Sequence, residues 1–373
     1  MAEPLKNMYN EQFLREFGAI VQAAYSSFNI NGFVNASLKE NWEALSLMER
    51  MRKITITLHS YLPDSYNEAI QILLDVNESC YGFPYLILPD FVEVYGQQPS
   101  DWDCSIQALE QFTSHSTAEF AVRPFILRNP VRMMEQMLKW SKSSNEHVRR
   151  LASEGCRPRL PWGKALHIFK KDPFPIIKVL EQLKTDESLY VRKSVANNLN
   201  DIAKDHPQLV IQLAKSWIGH SHYTDWIVRY GCRTLIRQAH PEILALFGYA
   251  MHDTESNMIE YAELTVNKSI LAIGEESELT YKIAIRPGEP VRIRVEYCID
   301  FVKSSGKISS KKFLLSDKTV AGGALLVASR THRWSDLTTR RHYPGKHRIA
   351  LVVNGVEVAE TDVEIVPAIT KDK

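Results

Sequence analysis

The chain has 373 residues, of which 45% are hydrophobic and 24% charged, and a formal net charge of +1. That length can bury a large core, in two domains by size, and the ordinary composition excludes a disordered chain. No run reaches the ~20 apolar residues of a membrane span, the opening MAEPLKNMYN lacks the basic and apolar regions of a secretory signal, and Cys80, Cys104, Cys156, Cys232 and Cys298 form no C-x-x-C pair, so a reducing cytoplasm is expected; the chain is also expected to be a monomer.

In chain order, the first ~115 residues read as helices. NEQFLREFGAIVQAAY, LKENWEALSLMERMRKITITLHSYL, SYNEAIQILLDV and WDCSIQALEQF carry helical apolar spacing, with breaks at Pro63, Pro84 and Pro89. No catalytic motif appears there.

From Thr117 to Gln238 one phrase recurs, a Val-Arg with apolar residues three, four or seven positions on: TAEFAVRPF, NEHVRRLASEG, ESLYVRKSVANNL and DWIVRYGCRTL. Each is predicted to be a helix. Between Val122, Val148, Val191 and Val228 lie second apolar stretches opening on Asn-Pro, Asp-Pro or His-Pro, a helix-start signal. Helix pairs repeating at roughly 40 residues read as HEAT-like repeats stacked into a solenoid.

Beyond about residue 255 the pattern changes to alternating, β-branched and aromatic runs divided by Gly and Pro, with Asn354-Gly355 as a two-residue hairpin signal. About seven strands in about 110 residues predict a small β-sandwich of immunoglobulin-like size. The expected organisation is therefore an all-α HEAT-like solenoid over 1–255 followed by an immunoglobulin-like all-β sandwich over 256–373.

The near-zero net charge conceals an asymmetry. Residues 1–122 carry 6 Lys/Arg against 16 Asp/Glu, whereas 123–237 carry 21 against 10. Within 303–348, 11 Lys/Arg face only Asp317 and Asp336, in segments expected to be loops. Two basic regions are the footprint of a polyanion held from two sides, which predicts nucleic acid as partner. Candidate DNA contacts in the repeats are Arg149, Arg157, Arg159, Lys164, Arg192 and Arg229; in the β-domain they are Lys311, Lys312, Arg333, Arg340, Arg341 and Lys346. Arg149, Arg192 and Arg229, which follow repeat valines, suit either phosphate contact or repeat-to-repeat pairing.

Carboxylates stand among these cations. On a wheel centred on Val122, Glu119 falls about 60° from the apolar centre at ~100° per residue, where an ionised group needs a partner. Arg123, four residues on, is one candidate partner. Glu154 ends its helix just before Gly155, where the dipole disfavours it, so something else must retain it. Trp162 follows in a Pro-rich turn among Arg157, Arg159 and Lys164, either a packing plug or a stacking surface, and Asp201 ends the helix of the following repeat. His220-x-His222 with Asp225 reads as a polar turn; no metal or cofactor is expected, and no nucleotide or G-x-S-x-G motif is present.

The repeats, the run RRLASEG-x-RPRLPW and the basic β-sandwich together resemble the AlkC branch of the AlkC/AlkD family of DNA glycosylases over essentially the whole chain. The resemblance implies a DNA-cradling solenoid and excision of cationic N-alkylated bases such as 3-methyladenine and 3-methylcytosine without deep base flipping, and the basic segments of the β-domain are expected to clamp the DNA. By motif match it implies catalytic roles for Glu119 and Glu154, supported by Trp162 and Asp201. The W-W-D-x-V-D sequence of the AlkD branch is absent, so that branch's aromatic arrangement does not transfer. A non-catalytic HEAT scaffold for nucleic acid or protein is the alternative, and base release from methylated DNA separates the two.

Overall fold

Asn10 accepts a bond from the Phe13 amide and so opens α1 (Glu11–Ala24), whose Leu14, Phe17, Gly18 and Val21 form one buried stripe. The computed structural model describes residues 4–250, 258–338 and 340–368. After α1 come α2 (Ile30–Ser37), α3 (Leu47–His59), α4 (Tyr66–Val76), α5 (Ile87–Tyr95) and α6 (Trp102–Phe112). Two details differ from the sequence reading. The stretch before Leu47 is not α-helical: it holds a 3-10 turn at Trp42–Ala44, and Ser46 and Glu49 form a capping box that starts α3 at Leu47. Pro89, taken as a break, lies in the first turn of α5, where its missing N–H costs nothing.

The repeats follow as α7 (Val122–Arg128), α8 (Pro130–Trp140), α9 (Glu146–Glu154), α10 (His167–Lys171), α11 (Phe174–Leu183), α12 (Leu189–Ile202), α13 (Pro207–Trp217) and α14 (His222–Gly231). Val122, Val148, Val191 and Val228 are all buried, and the Val-Arg helices stack on their neighbours, α9 on α12 and α12 on α14. Asn129 caps α8 by accepting from the Arg132 amide, with Pro130 as the first helical residue. One helix starts late: α7 begins only at Val122, so Glu119 lies in the preceding turn rather than on the helix assumed for its wheel position. Pro124 sets this limit, because a proline fits only the first turn of a helix.

The chain divides into two compact units, Met1–Cys232 and Arg233–Lys373. The short helices α15 (Arg233–Arg237) and α16 (Pro241–Leu246) therefore group with the strands; the 255/256 boundary expected from sequence lies outside the described residues.

Among the described residues eight strands, one more than expected, form two sheets. They are β1 (Ile259–Val266), β2 (Ile270–Ala272), β3 (Glu276–Ile285), β4 (Val291–Val302), β5 (Ile308–Val320), β6 (Leu325–Arg333), β7 (Gly345–Val353) and β8 (Val356–Val366). One sheet has the order β1-β3-β6 and the other β2-β8-β7-β4-β5. Alternate residues of both, among them Leu279, Ile283, Ile293, Val295, Ile349 and Leu351, fill one core with the fully buried Trp334.

The β7–β8 hairpin turns on Asn354 and Gly355, both at positive φ, and pairs Val353 with Val356. The Asn354 carboxamide is tied in: its oxygen accepts from the Arg294 amide at 2.7 Å, and its nitrogen donates to the carbonyls of Ala250 (2.7 Å) and Arg292 (3.3 Å).

The basic segments of this unit are mostly not loops. Lys311 and Lys312 lie on β5, Arg333 on β6 and Lys346 on β7, while Arg340 and Arg341 lie between β6 and β7. Both β5 and β6 are sheet edges, and charged side chains on an edge block pairing with another chain, which is a structural reason for basic residues in long strands.

Candidate active site

Glu119, Glu154 and Asp201 come from three successive repeats, and the fold brings them onto one line of alternating charge. The bridging group at one end is Arg150, which sequence reading passed over. Its guanidinium makes a salt bridge to Glu119, donates to Thr117 Oγ1 at 3.0 Å and lies 3.7 Å from Glu154 Oε1. Thr117 Oγ1 in turn donates to Glu119 Oε2 at 2.9 Å. Glu119 is thus held by Arg150 across the repeat, not by Arg123.

Glu154, 5% exposed, sits at the C-terminus of α9 and has the retaining partners that its position requires. Arg157 donates to its Oε1 and the Ser194 hydroxyl of α12 to its Oε2, each at 2.6 Å. Ser153 donates to Ser194 at 2.5 Å, which leaves the Ser194 hydrogen for Glu154. Arg157 continues to Asp201 Oδ2 at 2.9 Å, and Lys204 reaches Asp201 Oδ1 at 3.0 Å. Three buried carboxylates and three cations therefore alternate as Glu119, Arg150, Glu154, Arg157, Asp201 and Lys204, so that each buried acid has cationic partners where isolated charge would be costly.

The planar guanidinium of Arg150 also rests on the ring of Tyr190 at the start of α12, 5.1 Å from its centroid. Burial works against the charge of Arg150, but Glu119 and Glu154 outweigh it and raise its pKa. Burial likewise raises the Tyr190 phenol, with Arg150 opposing. Tyr190 was missed as well. The i,i+4 spacing of Arg150 and Glu154 was a readable signal for the arginine, whereas nothing in the local sequence marks Tyr190.

Trp162 is 64% exposed and holds a left-handed backbone at φ 64°. Its ring meets Phe83 edge-on at 6.1 Å, so it is an outward-facing aromatic rather than a buried plug. A non-glycine residue in that region stores strain, which is more common at functional sites than elsewhere.

The basic residues differ in what already holds them. Arg157 is buried between Glu154 and Asp201, and Arg159 is paired with Asp205. Arg149 donates to the carbonyls of Ser143 and Ser144 and pairs with Asp186 at 2.7 Å; Arg192 repeats the pattern on the carbonyls of Asp186 and Glu187 and lies over Tyr223 at 4.2 Å. These contacts are the ones that repeat pairing would use, and the same side chains remain candidates for phosphate contact. Arg229 is half-buried in α14, and Lys164 is exposed.

In the β unit, Arg333 pairs with Glu276 and Lys346 with Asp362. Arg340 turns inward over Phe301 at 4.6 Å, and burial lowers its pKa. Lys311 and Arg341 are exposed. Asp225 caps the turn at Gly219, and no metal-binding group of His, Cys, Asp and Glu occurs among the described residues.

An expected result follows for the Val-Arg pairs. Arg149→Ala and Arg192→Ala should each lower the melting temperature while leaving the salt dependence of DNA binding unchanged. A phosphate contact would instead contribute ~0.9 to the log–log salt slope.

A helical-repeat solenoid carrying buried carboxylates, followed in the chain by an immunoglobulin-like unit, is the architecture of a DNA alkylation-repair family, as two comparisons show. Residues 91–235 match the DNA alkylation repair enzyme family, and residues 260–367 match the C-terminal Ig-like domain of the uncharacterised protein YhaZ. The chain belongs to the AlkC branch of the AlkC/AlkD family of HEAT-like-repeat alkylpurine DNA glycosylases. It is similar to the Pseudomonas fluorescens alkylpurine DNA glycosylase AlkC bound to DNA containing an abasic site analog, with a TM-score of 0.91 and 36% identity over 98% of this chain and 100% of that one. It is also 43% identical to the uncharacterized protein YhaZ of Bacillus subtilis (strain 168), over 97% of this chain and 99% of that protein. No helix among the described residues is long and apolar enough to cross a membrane.

Proposed function

We propose that the protein, acting as a cytoplasmic monomer, hydrolyses the N-glycosidic bond of cationic N-alkylated bases, 3-methyladenine and 3-methylcytosine, in duplex DNA, without deep base flipping and without strand cleavage. The observation that carries this reading is the placement of Arg150, a planar cation lying on Tyr190 and between Glu119 and Glu154. A site that accommodates a flat, delocalised positive charge against an aromatic face and two carboxylates has the chemistry that an alkylated base presents.

A base alkylated at a ring nitrogen leaves as a neutral molecule, taking the glycosidic electron pair, and needs no general acid. Glu119 and Glu154 stabilise the positive charge that develops on the sugar, and one of them aligns a water whose oxygen bonds to the anomeric carbon and whose proton is released. Hollows at Asn7–Arg50, about 660 Å³, and at Pro130–Lys178, about 570 Å³, are lined by none of the candidate catalytic residues. The abasic DNA held by the P. fluorescens relative corresponds to the product side of this reaction.

Incubation with methylated duplex DNA, followed by identification of the free bases and of unbroken abasic strands, tests the proposal. DNA binding without release of any base would overturn it in favour of a scaffold.

The β unit is assigned extra phosphate contacts through its exposed basic residues. Replacing Lys311 and Arg341 together by alanine should reduce the salt slope by ~2, at ~0.9 per lost contact. Replacing Arg333 and Lys346, already matched by carboxylates, should change it less. Equal slopes in both double variants would remove this role.

A further inference from the structure

Arg123 is 1% exposed, and among the described residues no carboxylate lies within 4.0 Å of its guanidinium. A buried cation without a counter-ion is costly, so its remaining contacts must hold it. They are two main-chain oxygens: Nη1 donates to the carbonyl of Gly155 at 2.9 Å and Nε to that of Lys164 at 2.6 Å. Burial pulls the guanidinium down to about 10, which leaves it protonated at neutral pH; Cys156, Glu119 and Glu154 favour that charge and Arg157 opposes it.

The two carbonyls have particular neighbours. Gly155 directly follows Glu154 at the end of α9, where free carbonyls attract a cation. Lys164 stands two residues after Trp162. The intervening segment is moulded on α7: a Cβ at Gly155 would come within 2.6 Å of Val122 Cγ2, and one at Gly163 within 3.3 Å of Arg123 Cδ. Arg123 itself follows Glu119 by four residues.

We propose that Arg123 is a positioning residue for excision: by fixing the carbonyls of residues 155 and 164 to α7, it holds Glu154 and Trp162 in one frame with Glu119. This rests on the reading of Glu154 as catalytic. Arg123 is sealed from solvent and acts only through the groups it places.

The test is single-turnover excision from methylated duplex DNA at saturating protein, well below the melting temperature of each variant. Arg123→Met keeps the length of the side chain and removes the fork. It should lose on the order of 10²-fold in rate, the scale of a misplacement of about 1 Å, with the DNA dissociation constant within about threefold of wild type. Arg123→Lys, which keeps the charge but not the fork geometry, should recover part of that loss. Adding Arg123→Met to Glu154→Gln should cost little beyond Glu154→Gln alone, because the first change acts through the second residue.

A merely structural arginine would lower the melting temperature and leave the rate intact. Wild-type excision by Arg123→Met, or losses that multiply in the double variant, overturns the proposal. If Arg123→Met does not fold, Arg123→Lys alone carries the test, with a loss of at least about tenfold expected and wild-type turnover overturning it. Wild-type excision by Glu154→Gln would instead remove the catalytic reading on which the inference stands, so the two failures are distinguishable.

Discussion

Glu154→Gln should keep the fold and DNA affinity and lose ~10²–10³ in the rate of base release, the usual cost of removing one preorganised electrostatic stabiliser. The amide still accepts from Arg157 or from Ser194, and Arg157 keeps Asp201, so the network closes around the change. Glu119→Gln should behave alike, because Arg150 and Thr117 remain as its partners. The measurement is single-turnover release of methylated base beside a binding isotherm. If both variants release base at wild-type rates, the carboxylates are structural only.

Removing the central cation should have the largest effect on stability. Arg157→Met leaves Glu154 and Asp201 buried with one partner fewer each, and breaking such a pair costs about 3–5 kcal/mol. The denaturation midpoint should fall with an unchanged slope, since the surface exposed on unfolding is the same. The triple change Glu154→Gln, Arg157→Met and Asp201→Asn should recover much of the midpoint, because no unpaired charge then remains, yet release no base. A triple variant no more stable than Arg157→Met would show that the desolvated charges do not set the cost.

The difference between these residues also explains what the sequence could reveal. The solenoid was legible because each Val-Arg helix repeats the same local pattern, and the hairpin because Asn-Gly suits its turn. The need of Glu154 for a partner followed from its place at a helix end. The identity of those partners did not, since Ser194 and Asp201 stand 40 and 44 residues away from Glu154 and Arg157, and only the register between stacked repeats pairs them.

Glu119 was misplaced onto a helix although Pro124 carried the information that the helix starts late. The basic strands were misread as loops because an exposed edge strand lacks the alternation that marks a half-buried one: along β6 only His332 is fully covered. Arg340 illustrates the same limit, for its charge is visible in sequence but the rings of Phe301 and Phe313 beneath it are contributed by other strands.

The hairpin tip of the β unit carries a chemical clock. Asn354 precedes a glycine, and loss of ammonia from its side chain would exchange one nitrogen for oxygen. The donor that now serves the carbonyls of Ala250 and Arg292 would become an acceptor facing two acceptors; the Arg292 oxygen keeps the Ala250 amide at 3.1 Å, while the Ala250 oxygen loses this donor at a cost of about 1–3 kcal/mol. The bonds that define the turn also hold the side chain in one conformation and so slow its own ageing. Protein stored long enough for that reaction should weaken first at the seam joining residue 250, β4 and the β7–β8 turn, while the helical repeats keep their fold.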